Sequence, residues 1–407
     1  MNTLLIHQAF ASPKDAGGTR HFELGRYLVG TGDRFTIIAS DLSYLTGKRK
    51  VEDKKAVAKQ NISGVDILRA YTYPSLHRSF SWRVVSFLSF MGTSLLAALS
   101  EKDVDLVMGT TPPIFQAGSA WLVATLRRRP FLLEIRDLWP EFAIALGILT
   151  NPLLIKLSRW FEIFLYSQAT HLLVNSPAYR DYLISKGVPE SKITLIPNGV
   201  DATMFDPEAA GEHIREKYNL NGKFVVTYAG ALGMANDIDT LLHAAVHLQN
   251  EPDIHFLLAG DGKERGRLEA AARKLCPSQV TFTGPFPKDE MRNVLAASNA
   301  CVATLKDIPS FRTTYPNKVF DYMAAGRPIV LGIDGVIRQV VADAKAGIFV
   351  QPGDGAALAD AVRNLYRNPE QAASMGMAGR LYVMEHFNRS KHAEDFARLV
   401  RRLAQVR

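Results

Sequence analysis

The feature that most limits what this chain can fold into is an alternation of short β-rich runs with amphipathic segments, kept up from end to end. In the first half the runs read TLLIHQAF, RFTIIAS, VDLVMGT, PFLLEIR, HLLVNS and KITLIPN. The second half restarts with FVVTYAG and continues through IHFLLAGDG, VTFTGPF, ACVATL, RPIVLGI and AGIFVQPGD. Between them, segments such as 237–248, 265–275 and 288–297 repeat apolar residues at helical spacing. Strands that alternate with helices predict parallel sheets wrapped by helices. At 407 residues the chain predicts two such sheets rather than one core. The fold class read here is α/β, with two Rossmann-like, doubly wound domains.

The join is predicted at IPNGVDATMFDP, residues 196–207, where a strand ends in Pro-Asn-Gly ahead of a helix at 208–218. The first domain then spans residues 1–198 and the second 199–385. No run reads as a long tether, so the domains are expected to face each other across a cleft with a short hinge. In the last segment, 386–407, Ala393, Phe396, Ala397, Val400 and Leu403 form one apolar stripe. That helix is expected to cross back to the first domain.

Ligands of open parallel sheets bind beyond the C-terminal strand ends, so residues just after strands carry the information. After the first strand, Gly17 and Gly18 precede a helix that starts near Thr19, followed by Arg20 and His21. Backbone N–H groups there can approach a phosphate, although a tight turn explains the glycine pair equally well. EIRDLWPE places Glu134, Arg136, Asp137 and Glu141 at the end of an apolar strand, where unpaired charge is costly. A local salt-bridge cluster is the alternative. YAGALGMAND sets Gly230, Leu232 and Gly233 where a strand turns into a helix, half of a phosphate cradle without a Walker or G-x-G-x-x-G pattern. Asp261 also sits at a strand end, in an Asp-Gly pair common in turns.

Past ACVATL, the loop KDIPSFRTTYPNK brings Arg312, Pro316, Asn317 and Lys318 to a helix start, with Asp321 three residues after the lysine. Helix starts attract anions, so Lys318 there can hold a diphosphate, and Asp321 one turn on can accept hydrogen bonds from vicinal hydroxyls. These are two parts of a nucleotide-sugar. A plain Lys318–Asp321 surface pair is the alternative.

Taken in order, GGTRHFELGRYL, EIRDLWPE, LIPNGVD, YAGALG, LLAGDGKERGRLE, PNKVFDYMAAGRPIV and GIFVQPGDGAALADAV resemble the retaining glycosyltransferases of family 4, with the GT-B architecture. EIRDLWPE and PNKVFDYMAAGRP resemble the subgroup that builds bacterial surface polysaccharides, including transferases of N-acetylfucosamine in O-antigen assembly. The resemblance implies transfer of a sugar from a nucleotide diphosphate-sugar, a UDP-sugar such as a UDP-N-acetylhexosamine, to a lipid-linked saccharide, with no metal or other cofactor. It assigns the donor to Gly18, Thr19, Gly230, Leu232, Gly233, Asp261, Arg312, Pro316, Asn317, Lys318 and Asp321. Arg20 and His21 would meet the acceptor, and Arg136, Asp137 and Glu141 would serve catalysis.

Three departures from the family pattern matter. Arg136-Asp137 stands where many relatives carry His-Asp. Of two glutamates eight residues apart, Thr313 replaces the first and Asp321 the second. Ala231 and Asn236 replace a basic pair, leaving the diphosphate charge to Lys318 and Arg312. The metal-binding device of other glycosyltransferases has one match, the DVD at Asp103–Asp105, whose place before a strand argues against that use.

Charge and hydropathy point to where such an enzyme works. Residues 1–200 hold 23 Lys/Arg against 16 Asp/Glu, whereas residues 201–407 hold 25 against 24, so the first domain is expected to meet an anionic surface. The apolar run at 84–99 is shorter than the roughly 20 residues a span needs. It reads as a buried helix, or as one lying on a bilayer with Arg78, Trp82 and Arg83 at the headgroups. Two cysteines and no signal peptide point to the cytoplasm, with peripheral attachment to the inner membrane expected. No nucleic-acid motif is present, so no nucleic-acid partner is expected. A nucleotide-sugar 2-epimerase of the same architecture and a non-catalytic nucleotide-sugar-binding scaffold remain open alternatives.

Overall fold

The computed structural model describes all residues except 16, 44–46, 52–55, 75–79 and 406–407, and the side chains of 80, 81 and 83. The expected roles of Arg78 and of the Arg83 side chain lie outside the described residues. The chain divides into one unit of Met1–Ser12, Thr19–Pro197 and Ser390–Arg407, and a second of Pro13–Gly18 and Asn198–Arg389.

The sheet of the first unit contains β1 (Asn2–Ile6), β2 (Arg34–Ser40), β3 (Val57–Ile62), β4 (Val65–Ala70), β5 (Leu106–Thr110), β6 (Phe131–Ile135), β7 (His171–Val174) and β8 (Ile193–Leu195). Their order is β3-β4-β2-β1-β5-β6-β7-β8. Every pairing is parallel except that of the edge strand β3 with β4. Because neighbours along a strand point to opposite faces, Leu4 and Ile6 pack in one core with Phe90, Ala120 and Leu165, while Leu5 packs in another with Phe22, Leu28 and Phe396. Both faces are thus covered by helices, as parallel sheets require.

The β3–β4 hairpin was not among the expected strands. Its turn, Ser63-Gly64, has φ of 51° and 85°, the two positive values of a type I′ hairpin turn. The Ser-Gly pair in VAKQNISGVDILRA carries that signal, but Lys59, Gln60 and Asn61 hide the strand by breaking its apolar pattern.

In the second unit β9 (Phe224–Ala229), β10 (Ile254–Ala259), β11 (Val280–Gly284), β12 (Ala300–Thr304), β13 (Ile329–Gly332) and β14 (Gly347–Phe349) lie in the order β11-β10-β9-β12-β13-β14, all parallel. The helix expected at 208–218 is only Glu212–Lys217. Gly211, at φ 62°, sets its start by bringing the backbone so close that a Cβ would lie 2.3 Å from the Ala297 nitrogen. The final helix is Arg389–Ala404 rather than one starting at 386. Val200 bridges to Asn388, and Arg389 donates from Nε to the Gly199 carbonyl at 2.9 Å, which keeps the preceding residues in the second unit.

Beyond that anchor, Ala393, Phe396, Ala397, Leu399, Val400 and Leu403 are buried in the first unit's core. Phe396 meets Phe35 edge to face at 6.5 Å, and Arg401 Nε donates to Asp33 at 2.8 Å. Among the described residues no helix is long and apolar enough to cross a membrane. Removing the wholly buried ring in Phe396→Ala is expected to lower stability by roughly 3–5 kcal/mol, read by denaturant unfolding; a loss under about 1 kcal/mol would show that the final helix contributes little.

Candidate active site

At the strand ends of the first unit, one carboxylate organises three basic side chains. Glu134, on β6, has no exposed surface. Arg20 Nε donates to its Oε1 at 2.9 Å, and His21 Nε2 lies 2.5 Å from its Oε2. Thr110 Oγ1 donates to the same Oε2 at 3.2 Å, and Arg136 Nε stands 3.9 Å away. Burial pushes the Glu134 carboxyl up, but the charges of His21, Arg20 and Arg136 more than offset this and hold it below the usual carboxylate range. Burial lowers the His21 pKa and Glu134 opposes that shift; since a carboxylate can only accept, the imidazole donates its Nε2–H.

Arg20 also donates to the Ile196 and Pro197 carbonyls at 2.8 and 2.7 Å. Both proposed acceptor residues, Arg20 and His21, are therefore tied to Glu134, and His21 is 2 % exposed. Thr19, just before them, bonds to Glu23. Gly18 packs with the second unit instead, where a Cβ on it would stand 3.1 Å from Asn317 Nδ2.

Arg136 Nε donates to Thr110 Oγ1 at 2.8 Å, and its Nη2 donates to His7 Nε2 at 3.0 Å. Since His7 accepts at Nε2, its proton sits on Nδ1, which is buried without a partner. Burial and the neighbouring Arg136 and His21 hold His7 well below its ordinary pKa, consistent with a neutral ring. Asp137 presents an equivalent anomaly, for its Oδ1 is buried with no hydrogen bond. Burial pushes this carboxyl up to about 7, with only Arg136 opposing.

Glu141 lies apart from this cluster in its bonding. It starts the short helix Glu141–Ala145 and takes both of its hydrogen bonds from Arg159, at 2.9 and 3.0 Å. An exposed bidentate pair satisfies its charge, so EIRDLWPE does not act as one group.

In the second unit the loop after β9 is shaped by close backbone approach. A Cβ at Gly260 would lie 1.8 Å from the Gly230 carbonyl, so only glycine fits there. Leu232 is wholly buried, and its N–H donates to the Asp261 carbonyl at 2.9 Å. That N–H is therefore committed, which removes Leu232 from the expected cradle. The N–H groups of Ala231 and Gly233 find no protein acceptor among the described residues. Asp261 caps the N–H of Gly262 at 2.8 Å, the turn role of an Asp-Gly pair.

Lys318 is the residue that points at this loop. It follows Asn317, which opens helix Asn317–Ala324 after Pro316, and a Cβ on Gly230 would stand 3.0 Å from its Nζ. The ammonium donates to Tyr228 Oη at 2.7 Å and Asn236 Oδ1 at 3.3 Å, and lies 4.0 Å from the Tyr228 ring centre. Tyr228 in turn donates from its hydroxyl to the Ala231 carbonyl at 2.8 Å. No carboxylate pairs with Lys318 among the described residues, and burial pushes it down to about 7. Asp321, expected on the same face, turns to Lys288 instead, at 2.5 Å. Arg312 is half exposed and spoken for by Asp307 at 2.9 Å and Asp334 at 3.8 Å.

A family model described as "Glycosyl transferase 4-like domain" matches residues 16–199, and one described as "Glycosyl transferases group 1" matches residues 223–368. Anabaena HepE, solved in complex with UDP-glucose, superposes with a TM-score of 0.74 over 99% of this chain and 100% of that one, at 16% identity. The chain belongs to the glycosyltransferases of the GT-B fold. Among curated relatives of this glycosyltransferase, the GDP-mannose-dependent alpha-(1-6)-phosphatidylinositol monomannoside mannosyltransferase of Mycolicibacterium smegmatis is 29% identical over 49% of this chain and 53% of its own. The GDP-mannose-dependent alpha-mannosyltransferase of Mycobacterium tuberculosis is 26% identical over 70% and 71%. The chain thus spans about half of the first relative's length and more of the second's.

Sequence reasoning missed His7, Tyr228 and Lys288 and did not assign Glu134 a role. A histidine ending the apolar run TLLI and a glutamate inside FLLEI were legible as polar groups in a strand buried on both faces. Lys288 gave no local signal. The raised Asp137 yields a prediction with a definite sign. Its ionisation opposes folding from near pH 4 upward, fully so above pH 7, so Asp137→Asn should raise the melting temperature at pH 8 and leave it nearly unchanged at pH 4. A lower melting temperature at pH 8 would mean that Asp137 is a stabilising partner of Arg136.

Proposed function

We propose that this glycosyltransferase is a retaining, family 4 enzyme. It moves a sugar from a nucleotide diphosphate-sugar, a UDP-sugar such as a UDP-N-acetylhexosamine, to a lipid-linked saccharide in surface-polysaccharide assembly. The second unit takes the donor and the first the acceptor. The observation that carries the donor reading is a partly buried ammonium with no carboxylate partner among the described residues, Lys318, set against a loop whose Ala231 and Gly233 N–H groups meet no acceptor among those residues. A diphosphate supplies negative charge there and raises the lysine's pKa back toward its ordinary value. As the glycosidic bond breaks, charge builds on the leaving diphosphate, and fixed N–H groups with Lys318 stabilise it more in the transition state than before.

Asn236 supports this placement. It stands where the family resemblance implies a basic residue, and its Oδ1 accepts from Lys318, so the charge is brought in from another element. Asp321 takes the ribose hydroxyls in this reading. In the first unit Asp137 and the Nδ1–H of His7, a buried acceptor and a buried donor that lack partners, are suited to hydroxyl groups of a saccharide. Two relatives are named for GDP-mannose and HepE holds UDP-glucose, so UDP and GDP are the nucleotides to compare.

Titration calorimetry tests the donor site after a thermal-shift panel of UDP-, GDP-, ADP- and dTDP-sugars has chosen the nucleotide. Lys318→Ala should weaken its binding by roughly 1.5–3 kcal/mol, the range of a charge-assisted hydrogen bond. Unchanged affinity would place the diphosphate elsewhere.

Attachment to an anionic membrane through the first unit is part of the same proposal. What supports it, beside the excess of basic residues at 1–200, is helix Pro152–Gln168, which turns Leu153 and Trp160 outward at 65% and 62% exposure together with Leu157 and Ile163. Helix Phe80–Ser100 adds exposed Trp82, Leu88 and Leu96. Cosedimentation with vesicles should require anionic lipid, weaken with salt and fall several-fold in Leu157→Ser/Trp160→Ser. Retention equal on neutral vesicles, or none on either, rejects it.

A further inference from the structure

The nearly buried ion pair between Lys288 and Asp321 has no evident task in the fold. The Lys288 Nζ lies 2.5 Å from Asp321 Oδ2, and each side chain is 12% exposed. Lys288 opens the short turn Lys288–Glu290 just beyond β11, whereas Asp321 lies one turn into helix Asn317–Ala324. Phe286 already anchors that loop in the core that also holds Phe320. Withdrawing two charges from water and freezing a lysine gains little stability, so such a pair is weak evidence of a structural role.

We propose that Lys288 is a positioning residue of the donor site, which fixes the Asp321 carboxylate so that its free oxygen receives the ribose of a nucleoside diphosphate. This rests on the ribose reading of Asp321. Two features of the geometry carry it. Lys288 takes Oδ2 alone, and no protein donor reaches Oδ1 among the described residues, so one oxygen is clamped while the other keeps its lone pairs. Asp321 also sits one turn from Lys318, and a bare carboxylate beside a diphosphate would repel it. An ammonium on the carboxylate cancels that repulsion without removing the acceptor. Aspartate is a short arm, and the clamp holds it in one orientation.

The test compares a ligand that has ribose with one that lacks it. Binding of UDP, GDP and inorganic pyrophosphate is measured by calorimetry on the full chain and on Lys288→Met, Lys288→Arg and Asp321→Asn. Lys288→Met should weaken whichever nucleoside diphosphate binds by about tenfold and pyrophosphate by less than about twofold, and Lys288→Arg should recover most of the loss. A structural tie would move both ligands alike, or neither, and either result overturns the proposal. Wild-type nucleoside diphosphate affinity in Lys288→Met, with the loss confined to Asp321→Asn, overturns the role of Lys288 alone. If Asp321→Asn itself does not separate nucleoside diphosphate from pyrophosphate, or neither UDP nor GDP binds the unaltered protein, the ribose reading falls first. Should Lys288→Met not fold, Lys288→Gln and the arginine variant carry the comparison.

Discussion

A parallel strand covered on both faces can place a charged side chain safely only at its ends, and this constraint shapes both units. Residues within β1, β5, β9 and β12 are buried almost without exception, so charge gathers where the chain leaves the sheet. Glu134 is the exception that explains the first unit. A carboxylate inside β6 must be met by cations and N–H donors, and Arg20, Arg136 and His21 are held around it for that reason. Their positions are thereby set to within hydrogen-bond geometry before any ligand arrives.

The second unit solves the opposite problem. Lys318 carries an ammonium into a partly buried place where, among the described residues, a tyrosine hydroxyl and an amide oxygen are its hydrogen-bond partners. Left so, the lysine lowers stability at neutral pH, because folding must work against its protonation; the deficit is complete below pH 7 and fades as pH climbs toward 10.5. Asp137 imposes a matching deficit of opposite sense with pH. Groups that weaken the folded state where no ligand is present are the ones expected to bind or react.

Much of this was legible in the sequence. The runs FVVTYAG, IHFLLAGDG and ACVATL form strands in the expected places, since apolar β-branched runs between glycine-rich turns have few other options. Lys318 was legible from its helix-start position. What the sequence hid were partners distant along the chain. Nothing near Lys288 signals Asp321, 33 residues away, and nothing near Arg20 signals Glu134, 114 residues away. Glu141 shows the reverse: nearness in sequence to Arg136 and Asp137 suggested a shared task, whereas Arg159 on another helix takes its charge. Leu232 likewise sits in the right loop with its N–H already used.

A crystal structure of the protein with the nucleoside diphosphate that binds it is the most direct test of the central claim, that Lys318 and the loop after β9 form the diphosphate site. The account predicts phosphate oxygens within hydrogen-bond distance of Lys318 Nζ and of the Ala231 and Gly233 N–H groups. A diphosphate bound elsewhere, with Lys318 still held only by Tyr228 and Asn236, would contradict it.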